Sequence, residues 1–304
     1  MDILAFGDPH IKPANPAIDL DALRVPPDID IVVTIGDIIQ RPGDLETGRA
    51  FFERLNASET PVVCVPGNHD PAEHYPEMIG GLEHVVLVHD CVVTDGELGV
   101  IRNGHGDELT VAGLGCETTK HAAALGAQDV DALDPRKEND RRHAADVAAQ
   151  TLEDAVFDYL AGNMAPDDLV SSLDVRRSER GTFLDALAEV ERRFDRVDAL
   201  FEGPEDPDVF LSHVPPYNTA LDRHHSIGER DRDLEELHVG SLGLKVALRK
   251  HAPPVALSGH SHNREYEVGS VDNPKMPHFL SLDFRGVARL TVESTFGTFA
   301  YEFL

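Results

Sequence analysis

Five short apolar runs in this 304-residue chain are each followed closely by aspartate, asparagine or histidine. The runs are rich in valine and isoleucine and shorter than most helices, which is typical of strands buried on both faces of a sheet. They are ILAF at 3–6, IDIVVTI at 29–35, PVVCV at 61–65, DVFLSH at 208–213 and PPVALSGH at 253–260. The sequence therefore predicts five strands, each with a polar group at its end.

A helical pattern separates the second and third of these strands. Residues 44–58, DLETGRAFFERLNAS, have an acidic first turn and apolar residues at helical spacing. Strand, helix and strand in this order predict an α/β sheet. The next three apolar segments, at 84–90, 91–104 and 108–115, are predicted as antiparallel additions, because the second of them contains an Asp-Gly hairpin signal.

Between residues 117 and 202 the charge is dense and the apolar spacing is helical. Three helices are predicted there, at 138–162, 163–173 and 178–203. We interpret 117–202 as a helical insertion, a lid or a partner surface, within a single domain that spans residues 1–304. A further helix is predicted at 240–251, and the chain is β-rich after it.

Acidic residues outnumber basic residues by a wide margin, and the formal net charge is −28. Such a surplus repels itself unless salt screens it. The composition therefore suggests a halophilic protein, with a mesophilic protein that has an acidic surface as the alternative. Nucleic acid is disfavoured as a partner, because duplex binding usually needs a basic face.

The beginning of the chain lacks the basic flank and the apolar length of a signal peptide. No apolar run approaches the ~20 residues that cross a bilayer. The three cysteines form no CxxC pair, which argues against a disulfide framework or a zinc knot, and Cys64 is predicted to be a core residue. We expect a cytoplasmic protein with no membrane partner.

In an open α/β sheet the carboxyl ends of the strands converge on one crevice, where ligands bind. The polar residues at the five strand ends are Asp8 and His10; Asp37; Asn68, His69 and Asp70; His213; and His260 and His262. Glycine precedes the polar residue at four of the five ends, which suits a tight exit from the strand and a positive φ. Any one end is weak evidence, but five in this order predict a functional site.

The series DxH, GDxxxR, GNHD, H and GHxH resembles the calcineurin-like metallophosphoesterase family. The resemblance covers most of the chain apart from the helical insertion, and SHVPPY (212–217) and HVGS (238–241) are similar to elements of one bacterial and animal branch. The resemblance implies an α/β fold, a four-layer α/β-β/α sandwich of two mixed sheets, which here carries the helical insertion.

The resemblance also implies a dinuclear metal centre. One ion would be held by Asp8, His10, Asp37 and His262, and the other by Asp37, Asn68, His213 and His260, with Asp37 bridging. Independently, imidazole, carboxylate and amide ligands without thiolate suit transition metals better than an oxygen-only cage for Mg²⁺ or Ca²⁺. Mn²⁺ is the expected ion, with iron, Zn²⁺ and Ni²⁺ as alternatives.

In the reaction that the resemblance implies, a hydroxide that bridges the ions attacks phosphorus in line. His69 is not a ligand in the family and would protonate or steady the leaving oxygen. Phosphoprotein phosphatases carry a carboxylate where this chain has Gln40, so the group that tunes His69 is left open and a protein phosphatase is disfavoured. Asp70 is the second candidate catalytic residue.

Four further residues are candidate substrate contacts. Arg41 would reach phosphate, unless it is a salt-bridged surface arginine. His224 and His225 follow the PPYNTALDR loop and would face the substrate or support the ligands. His238 precedes a predicted helix start whose N–H groups would favour a phosphate, although a simple N-cap at Ser241 explains the same segment.

The predicted function is metal-dependent hydrolysis of a phosphate monoester or diester of a small molecule or nucleotide. A nuclease acting on DNA or RNA is the alternative enzyme, and the acidic surplus counts against it. A non-catalytic metal-binding scaffold for a protein partner is the alternative from another class. The scaffold is disfavoured because all seven ligand positions and His69 are filled.

Overall fold

The structure is a computed structural model that describes residues 2–12, 18–93, 110–115, 138–203, 206–222, 240–262, 265–268, 278–282, 286–292 and 299–304. Its strands are β1 (Asp2–Gly7), β2 (Ile31–Thr34), β3 (Val62–Cys64), β4 (Val85–Leu87), β5 (Cys91–Val93), β6 (Val111–Leu114), β7 (Val209–Ser212), β8 (Val255–Ser258), β9 (Glu265–Val268), β10 (His278–Ser281), β11 (Gly286–Val292) and β12 (Phe299–Phe303). Its helices are α1 (Leu45–Asn56), α2 (Tyr75–Ile79), α3 (Glu138–Leu160), α4 (Pro166–Ser172), α5 (Arg180–Leu200) and α6 (Leu242–His251). The five predicted strands correspond to β1, β2, β3, β7 and β8.

The strands form two six-stranded sheets. The first has the order β12-β11-β1-β2-β3-β4, in which β1 to β4 are parallel and β11 and β12 are antiparallel to their neighbours. The second has the order β5-β6-β7-β8-β10-β9, in which β6, β7, β8 and β10 are parallel. Both sheets are therefore mixed, as the sequence predicts.

The prediction of antiparallel additions after β3 is wrong for β4 and confirmed for β5. Strand β4 pairs parallel with β3, in a register that sets Val62 opposite Val85. The two strands share one direction because α2 lies between them and returns the chain to the same edge of the sheet. Strand β5 pairs antiparallel with β6. The predicted Asp-Gly hairpin turn lies outside the described residues.

Alternate side chains of the strands enter different cores, which explains why the strands are apolar throughout. Between the sheets, Ile3 and Val33 pack with Leu211 and Leu257. On the outer face of the first sheet, the intervening strand residues pack against α1. Helix α1 buries Gly48, Phe51, Phe52 and Leu55, which share one helical face. Cys64 is a buried free thiol in this outer core, as predicted.

The helices of the insertion cover the outer face of the second sheet. One apolar cluster joins Leu152 of α3 and Leu187 of α5 to Phe210 of β7 and Ala247 of α6. Helix, sheet, sheet and helix thus form four layers, which confirms the predicted fold class. Residues 117–137 of the insertion lie outside the described residues, and a role as a lid or a partner surface stays a prediction.

None of the helices in the described part of the chain combines the length and the apolar character that a membrane span needs. The outer helices instead carry one apolar face toward the sheets, as α1 and α5 show by their buried residues.

Candidate metal centre

The polar ends of five strands meet where the two sheets face each other. Strands β1, β2 and β3 come from the first sheet, and β7 and β8 come from the second. The main-chain N–H of His260 donates to both carboxylate oxygens of Asp8 at 3.0 Å. His213 Nδ1 lies 2.8 Å from the main-chain oxygen of Ile35. These contacts join the loops of one sheet to those of the other.

Asp37 lies at the centre of the group. Its side chain is 3% exposed, and its Oδ2 lies 3.5 Å from both His10 Nε2 and His213 Nε2. His69 Nε2 is 4.0 Å from the same oxygen. Asp8, which is fully buried, lies 3.9 Å from His262 Nε2 through Oδ1. Two buried carboxylates therefore face a ring of imidazoles.

Asn68 links His213 to a further histidine, His260. Its Oδ1 lies 2.8 Å from His213 Nε2 and 3.0 Å from His260 Nδ1. All seven residues predicted as metal ligands are thus brought together, and His69 lies beside them. Their division between two ions stays a prediction.

The donor set fits a transition-metal centre. Three overlapping groups, Asp8 with His10 and His262, Asp8 with Asp37 and His213, and His10 with Asp37 and His69, each place their ligand atoms within 4.8 Å of one another. Nitrogen and oxygen donors without thiolate suit Mn²⁺, iron, Zn²⁺ or Ni²⁺. These groups share residues, as they would around closely spaced ions.

The tautomer of His213 supports the same fit. A main-chain carbonyl can only accept, so the contact with Ile35 places the proton of a neutral ring on Nδ1. Nε2 and Asn68 Oδ1 are then two acceptors that face each other at 2.8 Å. A metal ion bound to both atoms would satisfy such a pair, and so would an Asn68 amide that turns its NH₂ group toward Nε2.

Burial and charge also prepare these side chains for cations. Burial lowers the pKa of His10 to about 4, which leaves a neutral imidazole available for coordination. Burial alone would raise the pKa of Asp37, but His213, the His69 N–H and the other histidines together hold it below its usual value. An ionised carboxylate buried at this position attracts a divalent ion strongly.

Backbone strain is concentrated at the same residues. Positive φ angles occur at five of the seven: Asp8 (44°), His10 (43°), Asp37 (52°), His260 (64°) and His262 (56°). Residues other than glycine rarely adopt this region, and such conformations persist only where the surroundings enforce them. Their clustering at one place is typical of a functional site.

The glycines before these residues serve mainly to provide space. We predicted that they would supply the positive φ, and Gly36 does so with a φ of 84°. At Gly67, however, an added Cβ would lie 2.2 Å from Asp37 Oδ1, and at Gly259 it would lie 2.3 Å from Asp8 Oδ2. No side chain fits these gaps, so the loops approach closely only because glycine is present.

Asp70 binds main-chain groups of two loops, and a catalytic role for it stays a prediction. Its buried carboxylate accepts main-chain N–H groups from Asp37 at 2.9 Å, Ile38 at 2.6 Å and Gly67 at 2.8 Å. Burial and the charge of Asp37 raise the pKa of Asp70 to about 8, while these N–H groups oppose the rise. The side chain therefore joins the loop after β2 to the loop after β3.

His69 is held by Gln40. The Nδ1 atom lies 3.0 Å from the main-chain oxygen of Gln40 and 3.3 Å from its side-chain nitrogen. The main-chain N–H of His69 donates to Asp37 Oδ1 at 2.8 Å. Its side chain is 37% exposed, so a substrate can reach it. Sequence reasoning missed this role for Gln40, since a main-chain acceptor leaves no signal in residue type.

The candidate substrate residues are only partly described. Arg41 is exposed and follows Gln40 in the chain. His224, His225 and His238 lie outside the described residues. Ser241 is the N-cap of α6, and its Oγ accepts the N–H of Leu244 at 3.3 Å. The main-chain N–H of Ser241 donates to Pro215, so the N-cap interpretation accounts for this helix start.

The chain belongs to the calcineurin-like phosphoesterase family, because the sequence model of that family matches residues 1–264. It is accordingly a hydrolase that acts on ester bonds, in a family that depends on a dinuclear metal centre. The match includes every strand end that contributes to the site described above. A comparison with curated protein sequences gave no match.

Two solved structures resemble the fold at low sequence identity. The protein TT1561 of Thermus thermophilus is 17% identical, with 94% of this chain and 92% of that chain covered and a TM-score of 0.48. A phosphopantetheinyl hydrolase from Mycobacterium tuberculosis is 16% identical, with 93% and 89% covered and a TM-score of 0.45. The family assignment depends on the sequence match and not on these similarities.

Proposed function

We propose that the protein hydrolyses a phosphate monoester or diester of a small molecule or nucleotide with the help of two transition-metal ions, which we take to be Mn²⁺. The observation that carries the proposal is the meeting of seven nitrogen and oxygen donors around the buried Asp8 and Asp37. His69 lies beside them and remains accessible. The site thus combines cation ligands with a proton donor, as phosphoester hydrolysis requires.

Each ligand has an assigned ion in this proposal. Asp8, His10, Asp37 and His262 would hold one ion, and Asp37, Asn68, His213 and His260 would hold the other. Asp37 would bridge, because its Oδ2 is equally distant from His10 and His213. When bound, the ions would neutralise phosphoryl charge and lower the pKa of the attacking water.

The side chains of this chain supply the remaining chemistry. Burial of Asp8 and Asp37 reduces solvent screening, so their attraction for cations is stronger than at a surface. His69 Nε2 faces Asp37 at 4.0 Å, and from there it would donate a proton to the leaving oxygen as the phosphorus–oxygen bond breaks. Arg41 would contact the phosphate from outside.

The acidic surplus favours a small substrate over a polymer. A formal net charge of −28 repels polyanions at long range, which counts against a nuclease. We also propose that the enzyme is halophilic and cytoplasmic. The surplus supports the first of these, because concentrated salt would screen the repulsion within the fold.

Reconstitution with metal tests the proposal. Metal-free protein would be supplied with Mn²⁺, iron, Zn²⁺ or Ni²⁺ in concentrated KCl and assayed with para-nitrophenyl phosphate and bis(para-nitrophenyl) phosphate. We expect Mn²⁺-dependent hydrolysis of one or both, and a loss of about 100-fold or more in His69→Ala without loss of metal. His84→Ala is the matched control and should keep wild-type activity.

The non-catalytic scaffold makes the opposite prediction. Protein that holds two ions per chain and hydrolyses neither ester would overturn the proposed function. Activity that survives His69→Ala unchanged would overturn the role of His69 alone.

A further inference from the structure

We propose that Gln40 is the positioning residue for His69 and that it selects the ring nitrogen that faces the reaction. This inference rests on the proposed function, in which His69 protonates the leaving group. Beyond that function, we assign the group that holds His69 in place and the ring tautomer that this contact favours.

The main-chain oxygen of Gln40 determines where the proton lies. It is 3.0 Å from His69 Nδ1, and because a carbonyl only accepts, Nδ1 must donate. A neutral His69 ring then carries its proton on Nδ1 and leaves Nε2 without one. Nε2 is the atom on the Asp37 side, at 4.0 Å from its carboxylate. The ring is thus held by one nitrogen and presents the other to the site.

The side chain of Gln40 strengthens the same contact. Its terminal amide lies 3.3 Å from Nδ1. A protonated Nδ1 cannot accept from an NH₂ group, so the amide satisfies it by turning Oε1 toward the ring. The main-chain and side-chain oxygens of one residue would then share the Nδ1 proton. Both acceptors are uncharged, so they orient the ring without placing a full negative charge at Nδ1.

The neighbours of Gln40 make it a rigid support. Ile39 is fully buried and pairs with Ile11 in an isolated bridge between the loops after β1 and β2. The main chain of His69 is also held in place, because its N–H donates to Asp37 Oδ1 at 2.8 Å. The His10 ring packs edge-on against the His69 ring, with 4.9 Å between centroids. These contacts restrict the ring before any substrate binds.

The chemical step balances with water as the co-reactant. The imidazolium of His69 gives the Nε2 proton to the ester oxygen while the phosphorus–oxygen bond breaks and the oxygen of water bonds to phosphorus. The ring becomes the neutral form with its proton on Nδ1, which is the form that Gln40 stabilises. The two protons of that water stay on the phosphate product, which releases one to solvent, and solvent returns a proton to Nε2 for the next cycle. Gln40 itself neither gains nor loses a proton.

The first test uses leaving groups of different acidity. A nitrophenolate leaves without a proton, whereas an alkoxide needs one, so faulty positioning of His69 should matter mainly for alkyl esters. In Gln40→Ala we expect kcat for an alkyl ester to fall by about 10-fold, with KM and the nitrophenyl rate nearly unchanged. Gln40→Glu keeps an acceptor at this position and should restore most of the alkyl-ester activity. Glu46→Ala, an exposed change on α1, is the control and should change neither rate.

Coupling between the two residues separates positioning from a general structural role. Added to His69→Ala, Gln40→Ala should cause no further loss, because the group that it positions is gone. Equal losses for both leaving groups, or full additivity with His69→Ala, would overturn the proposal.

A second measurement does not depend on activity. Long-range ¹H–¹⁵N spectra of metal-free protein report which nitrogen of a neutral histidine is protonated. We expect the Nδ1–H form for His69, and the Nε2–H form would contradict the inference. If the wild-type protein hydrolyses neither class of ester, the proposed function fails. If it hydrolyses them and Gln40→Ala behaves as wild type, the role of the Gln40 side chain fails; the role of its main-chain oxygen, which alanine keeps, fails if the spectra show the Nε2–H form.

Discussion

The carboxylate of Asp70 accepts the main-chain N–H of Asp37 at 2.9 Å, so the loop after β3 directly holds the loop after β2. Ile38 donates to the other oxygen at 2.6 Å, and Gly67 donates from Asp70's own loop. Because Asp37 and Asn68 lie in these two loops, we infer that one buried carboxylate sets the distance between two predicted ligands.

Replacing Asp70 by asparagine should weaken both the fold and the metal site. Above pH 8, where the Asp70 carboxylate is ionised, both of its oxygens accept; the amide keeps one acceptor but turns an NH₂ group toward buried N–H donors, which are left unsatisfied. The two proteins should therefore be compared above that pH. We expect the free energy of unfolding to fall by about 1–3 kcal/mol in urea titrations and Mn²⁺ affinity to fall about 10-fold or more in calorimetry.

Glu73→Gln is the control for Asp70→Asn, since Glu73 is an exposed acidic residue three positions along the chain. It should leave both quantities unchanged. Wild-type stability and affinity in Asp70→Asn would show that the three N–H contacts contribute nothing measurable.

The predicted ligand positions could be read from the sequence because each follows a short apolar run. Parallel strands bring their carboxyl ends to one edge, so Asp8, Asp37 and Asn68 of the first sheet meet for a reason that residue types reveal. His213 follows β7 of the second sheet, and its place beside them depends on how the two sheets face each other. The direction of β4 could not be read in this way. It depends on α2, a five-residue helix that is too short to show periodicity.

The supporting contacts could not be predicted, because they use main-chain atoms. Asp70 binds N–H groups and His69 binds a carbonyl, and every residue other than proline carries both groups. Nor did the sequence indicate that Asp8 and Asp37 would themselves adopt a positive φ. Glycine beside them suggested that glycine would do so, whereas its main role is to leave room for the neighbouring loop.

Metal stoichiometry tests the division of ligands between two ions. Asp37→Ala should abolish binding of both ions, because its carboxylate contacts histidines of both proposed sites. His260→Ala and His262→Ala should each weaken a different ion. Elemental analysis and calorimetry with Mn²⁺ would measure the two sites, and circular dichroism would check the fold. Loss of a single ion in Asp37→Ala would contradict the bridging role.

Gly67→Ala should be among the most damaging single-methyl changes in the chain. The new Cβ would lie 2.2 Å from Asp37 Oδ1 and 2.3 Å from its main-chain nitrogen, so the loops must separate. We expect a loss of roughly 3 kcal/mol or more in the free energy of unfolding, or protein that cannot be purified in a folded state.

Gly181→Ala is the matched control, because nothing lies within 4 Å of its added Cβ. It is in helix α5 and should stabilise the protein by up to about 1 kcal/mol. Equal stabilities of the two variants would contradict the close approach.

Glu153 connects the helical insertion to the loop that follows His213. Its carboxylate, 5% exposed, accepts from Asn218 at 2.9 Å and lies 3.3 Å from Arg249 of α6. Glu153→Ala leaves a partly buried amide and guanidinium without this acceptor, so we expect about 1–3 kcal/mol of destabilisation in urea titrations. Asp154 contacts the same arginine at 2.8 Å from an exposed position. Asp154→Ala should therefore lower the free energy of unfolding by no more than about 0.5 kcal/mol. If Asp154→Ala were the more destabilising of the two variants, burial would not explain the difference between them.

Salt should stabilise the whole protein. With a formal net charge of −28, like charges repel one another within the fold, and the screening length falls from about 10 Å at 0.1 M salt to about 3 Å at 1 M. We therefore expect the Tm of the metal-free protein to rise steadily with KCl over this range in differential scanning calorimetry. NaCl at equal ionic strength should act alike if screening is the cause, whereas specific ion binding would separate the two salts. A Tm that is independent of salt would mean that local ion pairs such as Arg249–Asp154 already offset the acidic surplus, and it would remove the physical basis for a halophilic interpretation.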